Sequence, residues 1–132
     1  MAEKQRQNGS VLLIVVFAIA LMAMVTVGIL QMSTEEIQLM QNQVNAVQAL
    51  ATAEAGLNDA FSRIRLGSDP NIASTSFNGG SYAVTVTGTL PNRTITSTGT
   101  TSQGFVAEVE ADVTVGNSSP YVIRIDNLRF NE

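Results

Sequence analysis

The chain has no cysteine, no histidine and no tryptophan among its 132 residues. Without cysteine, disulfides and thiolate catalysis drop out. That absence does not define a compartment, because disulfides are optional outside the cytosol. Without histidine, the commonest metal ligand and general base are missing, and so is the base of a serine triad. Lysine and arginine total 7 against 11 acidic residues, for a net charge of -4. The arginines are scattered, whereas phosphate binding needs cations in groups, so no nucleic acid is expected as a partner. Proline is scarce and absent before Pro70. Charge is missing altogether from residues 10–34.

That uncharged run is the most informative feature present. Its apolar centre, residues 11–30 (VLLIVVFAIALMAMVTVGIL), spans ~30 Å as a helix, enough for a bilayer core. It is too long for an ordinary secretory leader, and Ala23 and Thr26 only weakly mimic a small-x-small cleavage site. The nine-residue leader before it, MAEKQRQNG, sets Lys4 and Arg6 against Glu3, and the first charges beyond the run are Glu35 and Glu36. The positive-inside rule puts the leader in the cytoplasm and the carboxyl end across the membrane. The plain alternative is a signal anchor that keeps its leader.

Residues 31–66 are rich in helix formers. An apolar stripe runs through Ile37, Met40, Val44, Val47, Leu50 or Ala51, Leu57, Phe61 and Ile64. The expectation is one helix over residues 10–66, ~85 Å long, with residues 10–34 in the membrane and 35–66 amphipathic. Gly28 and Gly56 are soft points, Gly67 fits a carboxyl-terminal cap, and Pro70 ends the helix. Glu54 falls near the stripe. It is either a flank residue reaching water or a contact to the globular part or a neighbour. Glu35 and Glu36 are either solvated at the interface or meet arginines of a neighbouring subunit.

Residues 67–132 read as a small antiparallel sheet. Residues 72–80 form a Ser, Asn and Gly-rich loop. Tyr82, Val84 and Val86 alternate with Ala83, Thr85 and Thr87. A short second strand centres on Ile95. Phe105, Ala107, Val109, Ala111, Val113 and Val115 form the longest alternation. The last strand opens at Tyr121, with a bulge near Asn127. Four strands with short links favour a meander. Its apolar face needs a cover, and Leu57, Phe61 and Ile64 are the expected helix–sheet contacts. Arg124 is expected to pair with Glu108 or Glu110. Glu108, Glu110 and Asp112 lie ~7 Å apart along one strand face, too dispersed for one calcium ion. No metal, no cofactor and no catalytic activity are expected.

Three pieces of sequence occur in order: Gly9-Ser10-Val11-Leu12-Leu13-Ile14-Val15, then Met32-Ser33-Thr34-Glu35, then Ala53-Glu54-Ala55-Gly56-Leu57. Together they resemble the amino-terminal segment of type IV pilin-like proteins, above all minor pilins with an alanine-glutamate-alanine-glycine signature. The resemblance implies an α+β, pilin-like fold, a long amino-terminal helix packed on a small four-stranded antiparallel sheet. It also implies a prepilin peptidase that cuts between Gly9 and Ser10 and methylates the new amino group of Ser10. The chain would then sit in the inner membrane, in contact with lipid. An assembly platform would draw Val11, Leu12, Leu13, Ile14, Val15 and the rest of the apolar helix into a filament, beside major and other minor pilins. Two departures stand out. Major pilins mostly begin their mature chain with an aromatic residue and have glutamate at its fifth position, where this chain has Ser10 and Ile14. They point to a specialised minor subunit that initiates, caps or modifies a pilus. The alternatives are a type II secretion pseudopilin, a pilus-tip adhesion module, and a signal-anchored periplasmic binding domain.

Overall fold

A computed structural model describes the backbone of residues 2–131 and the side chains of residues 6–131. The leader charges Glu3 and Lys4 lie outside the described side chains. The element order is α1 (Ala2–Arg65), β1 (Ile72–Phe77), β2 (Gly80–Thr89), β3 (Asn92–Thr100), β4 (Val106–Val115) and β5 (Ile123–Asn131). The chain divides into two compact units, one up to Gln41 and one from Asn42 onward.

The first unit is the part of α1 up to Gln41. The helix begins at Ala2 rather than at Ser10, because the Ala, Glu, Lys, Gln and Arg residues of the leader are good helix formers and carry it through Asn8 and Gly9. The second unit holds the rest of α1 and the sheet. The helix ends in a Schellman motif. Gly67 takes a φ of 72°, its N–H donates to the Ile64 carbonyl at 3.0 Å, and Ser68 N–H donates to the Arg63 carbonyl at 2.9 Å. Arg63 and Arg65 in the last turn complement the negative end of the helix dipole.

All strand pairs are antiparallel, in the order β1-β2-β3-β4-β5. The fold is therefore the pilin-like one, a long amino-terminal helix and a small antiparallel sheet. The sheet has five strands where the sequence pattern predicts four. The extra strand, β1, lies in the stretch read as a loop. Only Ile72 of β1 is buried, so it shows no apolar alternation. It is held by backbone pairing to β2 through a two-residue turn, Asn78 (φ 46°) and Gly79 (φ 82°). Asn-Gly with both φ angles positive is the hairpin turn that matches strand twist. β3 runs on to Thr100, and β5 starts at Ile123, two residues after Tyr121. The β4–β5 register slips between Asp112, opposite Asn127, and Val113, opposite Ile125, so the bulge falls on Asp126.

The core joins Ala53, Leu57, Ala60 and Ile64 of α1 to Tyr82, Val84, Ile95, Val109, Ala111, Val113 and Val115 of the sheet. This corrects the predicted stripe. Within the second unit, the row facing the sheet is Ala49, Ala53, Leu57, Ala60 and Ile64, mostly small residues. Val44 and Val47 are each 65% exposed, and Ala51 is exposed as well. Around Ala49, Ala53 and Gly56 the sheet comes so near the helix backbone that only small side chains fit, while Leu57 and Ile64 further along fill the core.

Candidate functional site: the apolar segment and the signature seam

The apolar part of α1 carries the highest hydropathy in the chain, with a window of mean hydropathy 2.9 and none of that window buried. It is one helix long and apolar enough to cross a membrane. Gly9 and Ser10 are exposed in the helix, and nothing lies within 4 Å of a methyl group placed on Gly9. Val11, Leu12, Leu13, Ile14 and Val15 are all exposed, Ile14 at 62%. Both threonine hydroxyls in and just past this stretch are satisfied inside the helix. Thr26 donates to the Met22 carbonyl at 2.8 Å and Thr34 to the Leu30 carbonyl at 2.9 Å. A helix that closes its own polar groups and exposes apolar side chains all round suits lipid or a bundle of like helices. Glu35 and Glu36 are exposed and form no ion pair among the described residues.

The signature Ala53-Glu54-Ala55-Gly56 is a packing device. Ala53 and Gly56 face the sheet, Ala55 is half-buried, and Glu54 is exposed with no hydrogen bond among the described residues. Ser97 of β3 is fully buried and donates its hydroxyl to the Ala53 carbonyl at 2.6 Å. A methyl group on Gly56 would strike Ser97 Oγ and come within 2.9 Å of the Tyr82 ring. A methyl group on Gly99 would strike the Ala49 carbonyl and the Ala53 amide nitrogen. Glycine on both sides, at Gly56 and Gly99, lets helix and sheet backbones approach. Leu57 and Ile64 lie in this core and half-buried Phe61 packs at its edge.

Beside the seam, Tyr82 donates its hydroxyl to Asp59 Oδ2 at 3.0 Å, and Asp59 Oδ1 meets Arg63 Nε at 3.4 Å. Burial, and then the Asp59 carboxylate, push the Tyr82 phenol above its ordinary value. Sequence reasoning missed Ser97, Gly99 and the Tyr82–Asp59 bond. One signal for the seam was visible: small residues at positions 49, 53, 56 and 60 repeat at helical spacing.

On the outer face of the sheet, Arg124 does not pair with Glu108 or Glu110. The register sets Arg124 opposite Thr114 and Arg129 opposite Glu110. Arg129 therefore bonds Glu110 and reaches Asp112 at 3.1 Å, while Arg124 Nε meets Asp126 at 2.7 Å. Thr114 and then Arg124 hold the Asp126 carboxyl below its usual range. Among the described residues no group of three or more Asp or Glu is placed to hold a metal ion, and no recognisable enzyme active site is formed. No family model, curated protein or solved structure matches this chain.

Proposed function

We propose that this chain is a minor pilin. Prepilin peptidase cuts it between Gly9 and Ser10 on the cytoplasmic side and methylates Ser10, and the mature chain waits in the inner membrane. An assembly platform then moves it into a filament beside major and other minor pilins, where it initiates, caps or modifies the fibre. The observation that carries this reading is the pairing of two features on one helix. One end exposes apolar side chains all round and the other is clamped to a small sheet by alanine and glycine. An apolar helix of this kind leaves lipid only when neighbours replace the lipid contacts. The sheet unit stays polar on its outer face, which suits a surface subunit. Ile14, where major pilins have glutamate, supports a specialised position over the repeated one.

Intact-mass and amino-terminal peptide analysis of membrane and sheared-filament fractions tests the proposal. A chain beginning at methylated Ser10 in the filament fraction is the expected result. An uncut chain confined to membranes overturns it in favour of a signal anchor. A processed chain that never leaves the membrane, with loss of an exported protein on deletion, replaces it with a secretion pseudopilin.

A further inference from the structure

β3 lays one row of residues on the core face of the sheet: Ile95, Ser97 and Gly99 are all buried. The strand period puts Arg93 in the same row, one step beyond Ile95. Its cross-strand neighbours are Gly88 on β2 and the buried Val113 on β4. A cation therefore continues a core row at the end where α1 has already stopped. Arg93 Nε is buried and has no hydrogen-bond partner among the described residues. The described ion pairs use Arg63, Arg124 and Arg129, not Arg93. A buried donor without an acceptor is unfavourable, and the terminal nitrogens of the same half-buried arginine also have no hydrogen-bond partner among the described residues.

Arg93 lines a cavity of about 360 Å³ between the α1–β1 connection and the sheet, large enough for a small molecule. The walls divide by chemistry. Val86 and Leu90 are apolar, and Tyr121 presents an aromatic ring. Ser68 brings a hydroxyl with no side-chain hydrogen bond among the described residues. Asp69 Oδ1 is taken by the Asn71 amide and by Asn71 Nδ2, both at 3.0 Å, which leaves Asp69 Oδ2 open as an acceptor.

The geometry points to a binding site for a sugar acid, a polyhydroxylated ring bearing one carboxylate of the uronic-acid class. The guanidinium fork of Arg93 matches a carboxylate. Asp69 accepts from ring hydroxyls and disfavours a second negative charge, which selects a monoanion over phosphate. Tyr121, Val86 and Leu90 supply apolar surface for the less polar side of the sugar. The site stands apart from leader processing and filament entry, and its test depends on neither.

The experiment titrates the isotope-labelled full chain, in detergent micelles, with sodium glucuronate, glucose, acetate and inorganic phosphate, followed by amide and arginine side-chain resonances. Saturable shifts at Ser68, Asn71, Gly88 and the Arg93 Nε–H with glucuronate are expected, with affinity at least tenfold weaker for the other three. Arg93→Gln should weaken glucuronate at least tenfold while the Gly99 and Val109 amides hold their positions. Should Arg93→Gln fail to fold, Asp69→Asn tests the same site, since removing the carboxylate should narrow the preference for glucuronate over phosphate at least severalfold. Absence of saturable shifts with glucuronate overturns the proposal. So does equal binding of acetate or phosphate, an Arg93→Gln variant that folds and binds as well as the parent, or an Asp69→Asn variant with an unchanged preference for glucuronate over phosphate.

Discussion

Gly99 has no room for even one methyl group, because the Ala49 carbonyl and the Ala53 amide occupy the space. Neither obstacle is a flexible side chain, so Gly99→Ala must shift helix against sheet. A loss of about 1–3 kcal/mol of stability is expected, checked by chemical denaturation of the full chain in micelles. Tyr82 sets a pH limit. Its folded-state pKa is raised, so the stability it contributes is fully present below its ordinary value near 10 and is lost as pH rises through the raised value. Thermal melts between pH 8 and 11.5 should show a falling alkaline limb. In Tyr82→Phe that limb should flatten, at the loss of one hydrogen bond worth about 1 kcal/mol. The residues behind both effects were hard to read. Gly99 looks like turn material in isolation, so the strand around Ile95 reads as short and ends at Ser97, although Ser97 and Gly99 belong to one strand. They sit in a core row because the helix backbone passes close above them and only small side chains fit.

At the scale of elements, α1 joins two faces with different tasks. Its apolar segment was plain in the sequence, because a long uncharged run has few other uses in water. Leu21→Arg with Val25→Arg places two charges near its centre, each opposing insertion by about 2.5–3.5 kcal/mol. The doubly substituted chain should shift from the carbonate-resistant membrane fraction to the soluble or degraded fraction. Retention equal to the parent would argue against a membrane role for this segment. The amphipathic part was less legible. Large residues drew the predicted stripe towards Val44 and Val47, which are exposed, while the buried row runs through Ala49, Ala53 and Ala60. Helix periodicity alone ranks faces by hydrophobic bulk, whereas contact at short backbone distance selects small residues. β1 escaped for a related reason: a mostly exposed edge strand has no alternation to detect, although its Asn78-Gly79 turn was a valid hairpin signal.

For the whole molecule, the proposed passage from membrane to filament rests on two junctions. At the first, Gly9→Leu puts a branched side chain where the peptidase would require glycine. The expected outcome is accumulation of the uncut chain, read by intact mass, and normal processing would count against cleavage there. At the second, the apolar helix holds no carboxylate from Ser10 to Thr34, so docking cannot rely on neutralising a neighbour's amino terminus. Ile14→Glu should then leave incorporation into filaments intact. Loss from filaments at normal membrane levels would show that this position must stay apolar. The exposed apolar side chains of β5, Ile125, Leu128 and Phe130, belong to the same scale, because they sit on an edge strand whose open backbone groups can pair with another chain.

By itself, the sequence determined the class of the molecule. One charge-free run, a helix-forming stretch without proline and a series of period-two alternations lead to a long apolar-to-amphipathic helix followed by an antiparallel sheet. Those are local patterns, legible because hydropathy and period act over neighbouring residues. Tertiary structure alone decided which helix face meets the sheet, which arginine answers the acidic stripe, that Ser97 bonds the Ala53 carbonyl, and that Arg93 lines a cavity without a partner among the described residues. Each of these depends on strand register and on the distance between backbones far apart in the chain, quantities that no local pattern contains.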